Sequence, residues 1–152
     1  MKIVFGVIAA LIVLLAIRLL TLGRTSRGMT ANVGLNDGKL HPCESAGNCV
    51  ISATVGERSS IAPLKVPGTP VERAKILKNA INRTEGVVIT QSALYFHAEY
   101  TSKRMGYVDD LELLIDPNSD RVDVRSASRV GKSDLGANRA RVEQLRSNLG
   151  QK

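Results

Sequence analysis

Between Arg125 and Arg139 the chain reads Arg-Ser-Ala-Ser-Arg-Val-Gly-Lys-Ser-Asp-Leu-Gly-Ala-Asn-Arg. Arg125, Ser126, Ser128, Arg129, Lys132, Ser133, Asn138 and Arg139 are the donor types from which an anion or ligand site is made. Gly131-Lys132-Ser133, between a strand pattern and a helix pattern, invites a phosphate-loop reading. That motif needs a glycine five residues before Gly131, and Ser126 stands there, so nucleotide hydrolysis is excluded. A weaker form survives. Free N–H groups at a helix start, beside Lys132 and Arg129, form an anion seat. The competing reading is that Ser126, Ser128, Ser133 and Asp134 satisfy the backbone of a tight loop.

Asn138 falls on the stripe of Leu135, Val142, Leu145 and Leu149, where an apolar residue is expected. A buried amide must find partners, and the backbone of residues 128–132 is the nearest supply. The motif is therefore expected to be a structural lock first. Asp109, Asp110 and Glu112 form an acidic set on a strand, with Asp110 and Glu112 sharing a face by alternation. Their expected partners are the arginines of the following strand, as cross-strand pairs worth about 0.2–1 kcal/mol each. A catalytic alternative needs a nucleophile within reach of a base. His97, Asp110 and Arg125 would line its pocket, with Ser126 or Ser128 as nucleophile.

Cys43 and Cys49 are the only cysteines and sit in a polar loop. In an exported protein such a pair reads as a disulfide. A metal site built on His41, Cys43 and Cys49 would supply only three ligands and lacks a second paired motif, so no metal is expected. No cofactor is implied.

Three stretches carry a resemblance to a known family. They are Pro42-Cys43-Glu-Ser-Ala-Gly-Asn-Cys49-Val-Ile-Ser52, Tyr107-Val-Asp-Asp-Leu-Glu112, and the run from Arg125 to Arg139. Together they resemble the bacterial and plant proteins grouped as domain of unknown function family 1499. The resemblance implies no agreed activity. It does imply an exported setting, because plant relatives are associated with the thylakoid lumen, which is topologically similar to the periplasm.

The elements that must position these residues follow from periodicity. Thr69-Pro70-Val71-Glu72 has the form of a capping box with proline in the first turn, and Val71, Ala74, Leu77 and Ile81 recur at helical spacing. Strands are expected at 87–90, 94–101, 107–115 and 121–128. Phe96, Ala98, Tyr100, Leu111, Leu113, Ile115, Val122 and Val124 point inward, and the alternate residues, Asp123 and Arg125 among them, point to solvent. Ser133 or Asp134 is the expected cap of the last helix. Short connections imply an antiparallel sheet. The expected fold is α+β, a three- to four-stranded antiparallel sheet covered by two helices.

Before this domain, Ile3–Ile17 is uncharged and almost wholly apolar. A helix from Ile3 to Leu22 would be about 30 Å long, enough for a bilayer core. No small-x-small cleavage site follows, so the reading is an uncleaved anchor over residues 1–22. Residues 23–40, with four glycines and no clear period, are expected to be a flexible linker, and residues 41–152 the globular domain. Arg18, Arg24 and Arg27 by themselves favour a cytoplasmic C-terminal side. The cysteine pair favours export, and the expectation is a single-pass inner-membrane protein with a periplasmic domain.

The net charge is +7, of which residues 1–27 hold +4. Residues 84–120 carry −5 and residues 121–152 carry +5, so the two blocks are set to pair with each other. With no tryptophan, three tyrosines and two phenylalanines, a nucleic-acid surface is excluded. Two function classes remain: a non-enzymatic tethered module binding an envelope protein, polymer or small anion, and an envelope hydrolase or transferase.

Overall fold

The computed structural model describes residues 1–53 and 57–151. Helix α1 is continuous from Lys2 to Gly28, where an extended Met29 ends it. Its most apolar 18-residue stretch has a mean hydropathy of 2.9 and is nowhere buried, so it is long and apolar enough to cross a membrane and is not a core helix.

Among the described residues, the rest is one six-stranded antiparallel sheet, a small hairpin and two helices. Strands β1 (Leu35–Asn36) and β2 (Lys39–Leu40) form the hairpin around Asp37-Gly38, both at positive φ. Asp-Gly suits the two-residue turn that matches strand twist. The sheet comprises β3 (Cys49–Ile51), β4 (Leu64–Lys65), β5 (Val87–Gln91), β6 (Tyr95–Thr101), β7 (Val108–Ile115) and β8 (Arg121–Ser128). Its order is β3-β8-β7-β6-β5, with β4 pairing β8 beyond the end of β3. The expectation of three or four strands is thus too low. β3 and β4 are two to three residues long and too short to display a period.

Helix α2 (Pro70–Arg83) begins with the expected capping box: the Glu72 N–H donates to Thr69 Oγ1, and the Thr69 N–H donates to the Glu72 carboxylate at 2.8 Å. Val71 does not join its buried stripe, being 80% exposed. Six residues before Leu77, it falls about 120° around the helix. Helix α3 (Ala137–Asn148) starts later than its apolar pattern suggests. Leu135 is 97% exposed, with a positive φ, at the tip of the loop before it.

The core joins Phe96, Leu111, Leu113, Val122 and Val124 of the sheet to Leu77 and Ile81 of α2 and Val142 and Leu145 of α3. The opposite face of the sheet carries a further segment. Segment 29–40 runs across it, so the stretch expected to be a loose linker bonds to the sheet through Met29, Asn32 and Gly34. The end of α1 is clamped to the start of β7. Ser26 Oγ accepts from Val108 N at 2.9 Å and donates to Val108 O, and the Tyr107 hydroxyl donates to Leu19 O.

Cys43 and Cys49 are bridged, with Cα atoms 5.7 Å apart. The closed loop is short, so the bridge is expected to contribute about 2–3 kcal/mol by restricting the unfolded chain. Replacing both cysteines with serine should lower the urea midpoint accordingly, and reductant should lower the wild type to the same value while leaving the variant unchanged. An unaltered midpoint in the variant would refute this.

Candidate functional site

The three quoted sequence stretches meet at β8, and strand alternation divides its polar residues between two faces. Ser126 and Ser128 turn towards α3. Arg125 and Arg129 turn towards segment 29–40.

On the α3 side, Asn138 is completely buried. Its Oδ1 accepts from Ser126 Oγ at 2.6 Å and from Arg141 Nη1 at 2.5 Å. Its Nδ2 donates to Ser128 Oγ at 2.9 Å and to Asn48 O, in the disulfide loop, at 3.0 Å. The amide has both a donor and an acceptor role filled, so the expected lock exists with different partners. It pins hydroxyls of β8 and the backbone of the disulfide loop rather than the backbone of residues 128–132. Asn48 returns the tie by donating to Gly131 O. Gly47 lies so close that a Cβ there would stand 2.2 Å from Lys132 O. Arg141 also pairs with Asp109 at 2.6 Å and stacks over Tyr100, 4.5 Å from the ring centroid.

The helix start is already satisfied by the chain itself. The Asp134 carboxylate accepts from the N–H groups of Gly136 and Asn138, both at 2.9 Å. Burial pushes this carboxyl up, but those backbone bonds outweigh it and hold it below the usual carboxylate range. The helix N-terminus is therefore not an open anion seat. Lys132 and Ser133 are exposed, and Arg139 donates outward to the carbonyls of Arg58 and Ser60.

On the other face lies a buried ionic layer. Arg129 holds Asp110 through two bonds, Nε at 2.8 Å and Nη2 at 2.7 Å, and also bonds Glu99. His97 Nε2 lies 2.7 Å from Asp110 Oδ1. Burial raises the Asp110 carboxyl, but the Arg129 guanidinium and His97 outweigh it, so its pKa lies below the ordinary value. An ionised Asp110 requires the proton of His97 to sit on Nε2. Beside it, Arg125 Nη1 bonds Glu112 at 2.7 Å and Asn32 O at 3.3 Å. Glu112 also accepts from Tyr95 Oη and Gly34 N. Burial and the neighbouring Glu112 push the Tyr95 phenol well above its usual range.

His97, Glu99 and Asp110 present ligand atoms within 4.8 Å of one another, a spacing that suits a metal ion. The Arg129 guanidinium bonds two of the three and supplies the positive charge there. His97 and Asp110 lie on the sheet face opposite Ser126 and Ser128, so no serine hydroxyl meets this imidazole. The Ser–His pairing that the catalytic alternative requires is absent for that geometric reason.

Between segment 29–32, the disulfide loop and the end of β8 lies a cavity of about 360 Å³. Asp110, Arg125, Ser128 and Arg129 line it, with Asn48 and Ser45 on the loop side. Arg125 Nε is buried without a hydrogen-bond partner. Of the residues expected in one site, the fold brings Arg125, Ser128 and Arg129 to this cavity and separates Ser126, Lys132, Ser133, Asn138 and Arg139 from it. Sequence reasoning missed Asn48 and the backbone of segment 29–34. Asn48, inside a quoted motif, was the available signal.

Residues 39–149 match the family described as "Protein of unknown function (DUF1499)". No curated protein matches the chain.

Asn138→Ala should cost at least about 1–3 kcal/mol, because it strands buried polar groups, whereas Lys132→Ala should melt like the parent. Thermal unfolding of both variants tests the pair. Equal melting of Asn138→Ala and the parent would refute the lock. Asp110 has a depressed pKa, so the stability it contributes is present above its unfolded value of about 4 and lost as pH falls through the lower folded value. Urea unfolding should therefore show a larger loss below about pH 4 in the wild type than in Asp110→Asn.

Proposed function

The chain belongs to this family, whose description names no activity, and from its geometry we propose a single-pass, membrane-tethered, non-enzymatic binding module of the bacterial envelope with its domain facing the periplasm. One observation carries the binding role: the cavity beside Arg125, built where the disulfide loop, the acidic strand and the strand–loop–helix motif converge. The exposed apolar length of α1 supports the tether, and the Cys43–Cys49 bridge supports an oxidising compartment.

Charge decides the ligand class. Glu99, Asp110 and Glu112 outnumber Arg125 and Arg129 in the layer beneath the cavity, so a phosphate or other dianion would meet a net negative floor. Both carboxylate oxygens of Asp110 and of Glu112 already accept hydrogen bonds, and Glu44 adds a further carboxylate to the cavity wall. The ligand that fits is an uncharged polar one that meets Ser45, Asn48 and Ser128 of the wall, of the kind an envelope polymer offers. The hydrolase or transferase alternative on His97, Asp110 and Arg125 is weaker. His97 is buried and does not line the cavity, and Asp110 already accepts three hydrogen bonds.

Alkaline phosphatase fused after Gln151 should be active in intact bacteria. Activity only of a cytosolic reporter would reverse the topology. In the same cells, material co-purifying with the wild type should be absent from Ala127→Trp, whose added ring fills the cavity. An identical set of co-purifying molecules from both would overturn the binding site.

A further inference from the structure

A second cavity, of about 370 Å³, lies where α1 meets the turn between β6 and β7. Arg24, Arg27, Lys103 and Arg104 line it, together with Leu20, and no acidic residue does. All four cations are exposed. Lys103 pairs at its outer side with Glu85, at 2.8 Å, while Arg24, Arg27 and Arg104 meet no carboxylate among the described residues. The strong arginine pairs of the domain, by contrast, are closed on Glu99, Asp109, Asp110 and Glu112.

The position of these cations is fixed. A Cβ on Gly23 would stand 1.8 Å from Met105 O, so the turn lies directly against the helix. The Ser26–Val108 and Tyr107–Leu19 bonds hold it there. Leu20 closes the exposed apolar stretch of α1. Arg24 follows about 6 Å further along the axis, inside the roughly 5–7 Å headgroup layer outside a hydrocarbon core, and Arg27 about 10 Å, just beyond that layer. The turn brings Lys103 and Arg104 to the same level from a part of the chain remote in sequence.

We propose that this cavity is a binding site for the headgroups of anionic phospholipids, formed jointly by the end of the anchor and the β6–β7 turn. The inference rests on the membrane-tether reading and adds a lipid class to it. It also gives Arg24 and Arg27 a role independent of the direction in which the anchor inserts. Phosphate oxygens of one or two lipids fill the space between the four cations while their acyl chains run down beside Leu20.

The test uses the full chain in nanodiscs of phosphatidylcholine, with and without phosphatidylglycerol, read by thermal unfolding. Phosphatidylglycerol should raise the melting temperature of the wild type and of a Lys75→Gln/Lys78→Gln variant, whose lost charges lie on α2. It should not raise that of Arg24→Gln/Arg104→Gln, whose melting in phosphatidylcholine alone reports that it is folded. At about 1 kcal/mol per cation, the double variant should bind the lipid about thirty-fold more weakly. Three outcomes overturn the proposal: no lipid effect on the wild type, the same effect on all three proteins, or an equal effect from free inorganic phosphate. Failure of the chain to enter nanodiscs would overturn the tether reading and this site together.

Discussion

The constraint on which the rest of the structure depends is the ionic layer between the sheet and segment 29–40. Asp110, Glu112, Arg125 and His97 are each no more than 5% exposed. Ions taken this far from water cost several kcal/mol apiece unless their hydrogen-bonding capacity is met. The sheet meets most of it through cross-strand pairs. The remainder is met by main-chain groups of segment 29–34: Met29 O and Asn32 O accept from the arginines, and Gly34 N donates to Glu112. The path of the chain between α1 and the hairpin is thereby dictated by Glu112 of β7, Arg125 of β8 and Arg129 just beyond it. Removing one partner would leave another charge buried and uncompensated, which is costlier than the modest net value of any pair.

The same strand that supplies the arginines supplies the Asn138 lock. Alternation sends Arg125 and Arg129 one way and Ser126 and Ser128 the other, so one continuous motif serves two sites on opposite faces. A contiguous run of donors in sequence is not a contiguous site in space. The disulfide loop closes both: Asn48 takes part in the lock through its carbonyl, and Asn48 and Ser45 wall the cavity over Arg125. This explains why the bridge sits where it does. It restrains the one loop that touches both sets of residues.

What could be read in the sequence was set by length and by the range of the interaction. β6, β7 and β8 run seven or eight residues and show their period, and the α2 capping box is a local motif. The opposed charge blocks pair as their signs suggested, Arg125 with Glu112, Arg129 with Glu99 and Asp110, and Arg141 with Asp109. β3, β4 and the hairpin strands are too short for a period, although Asp37-Gly38 was a turn signal. The burial of Arg125, Asp110 and His97 was not legible. A polar alternate face has the same pattern whether water covers it or a peptide segment does. Leu135 shows the converse error. Its apolar side chain lies on the helical stripe by number, but Asp134 bonds the N–H groups beyond it and leaves it outside the helix.

Clamping the domain to α1 changes what the cavity beside Arg125 is able to reach. A free linker of eighteen residues would let the domain search a wide radius. Here Gly23 and Ser26 dock on the β6–β7 turn and the start of β7, and Met29 and Thr30 form part of the cavity wall. Met29 follows Leu20 by nine residues, about 13 Å along a helical axis. The cavity is thus held at a fixed, small height above the end of the apolar stretch. In the proposed membrane setting, a rigid stalk of that length would favour ligands that already lie at the membrane surface over those that require the domain to travel. The two cavities face different chemistry: Arg24, Arg27 and Arg104 line one with positive charge, and the proposed upper site offers a neutral polar wall over the ionic layer.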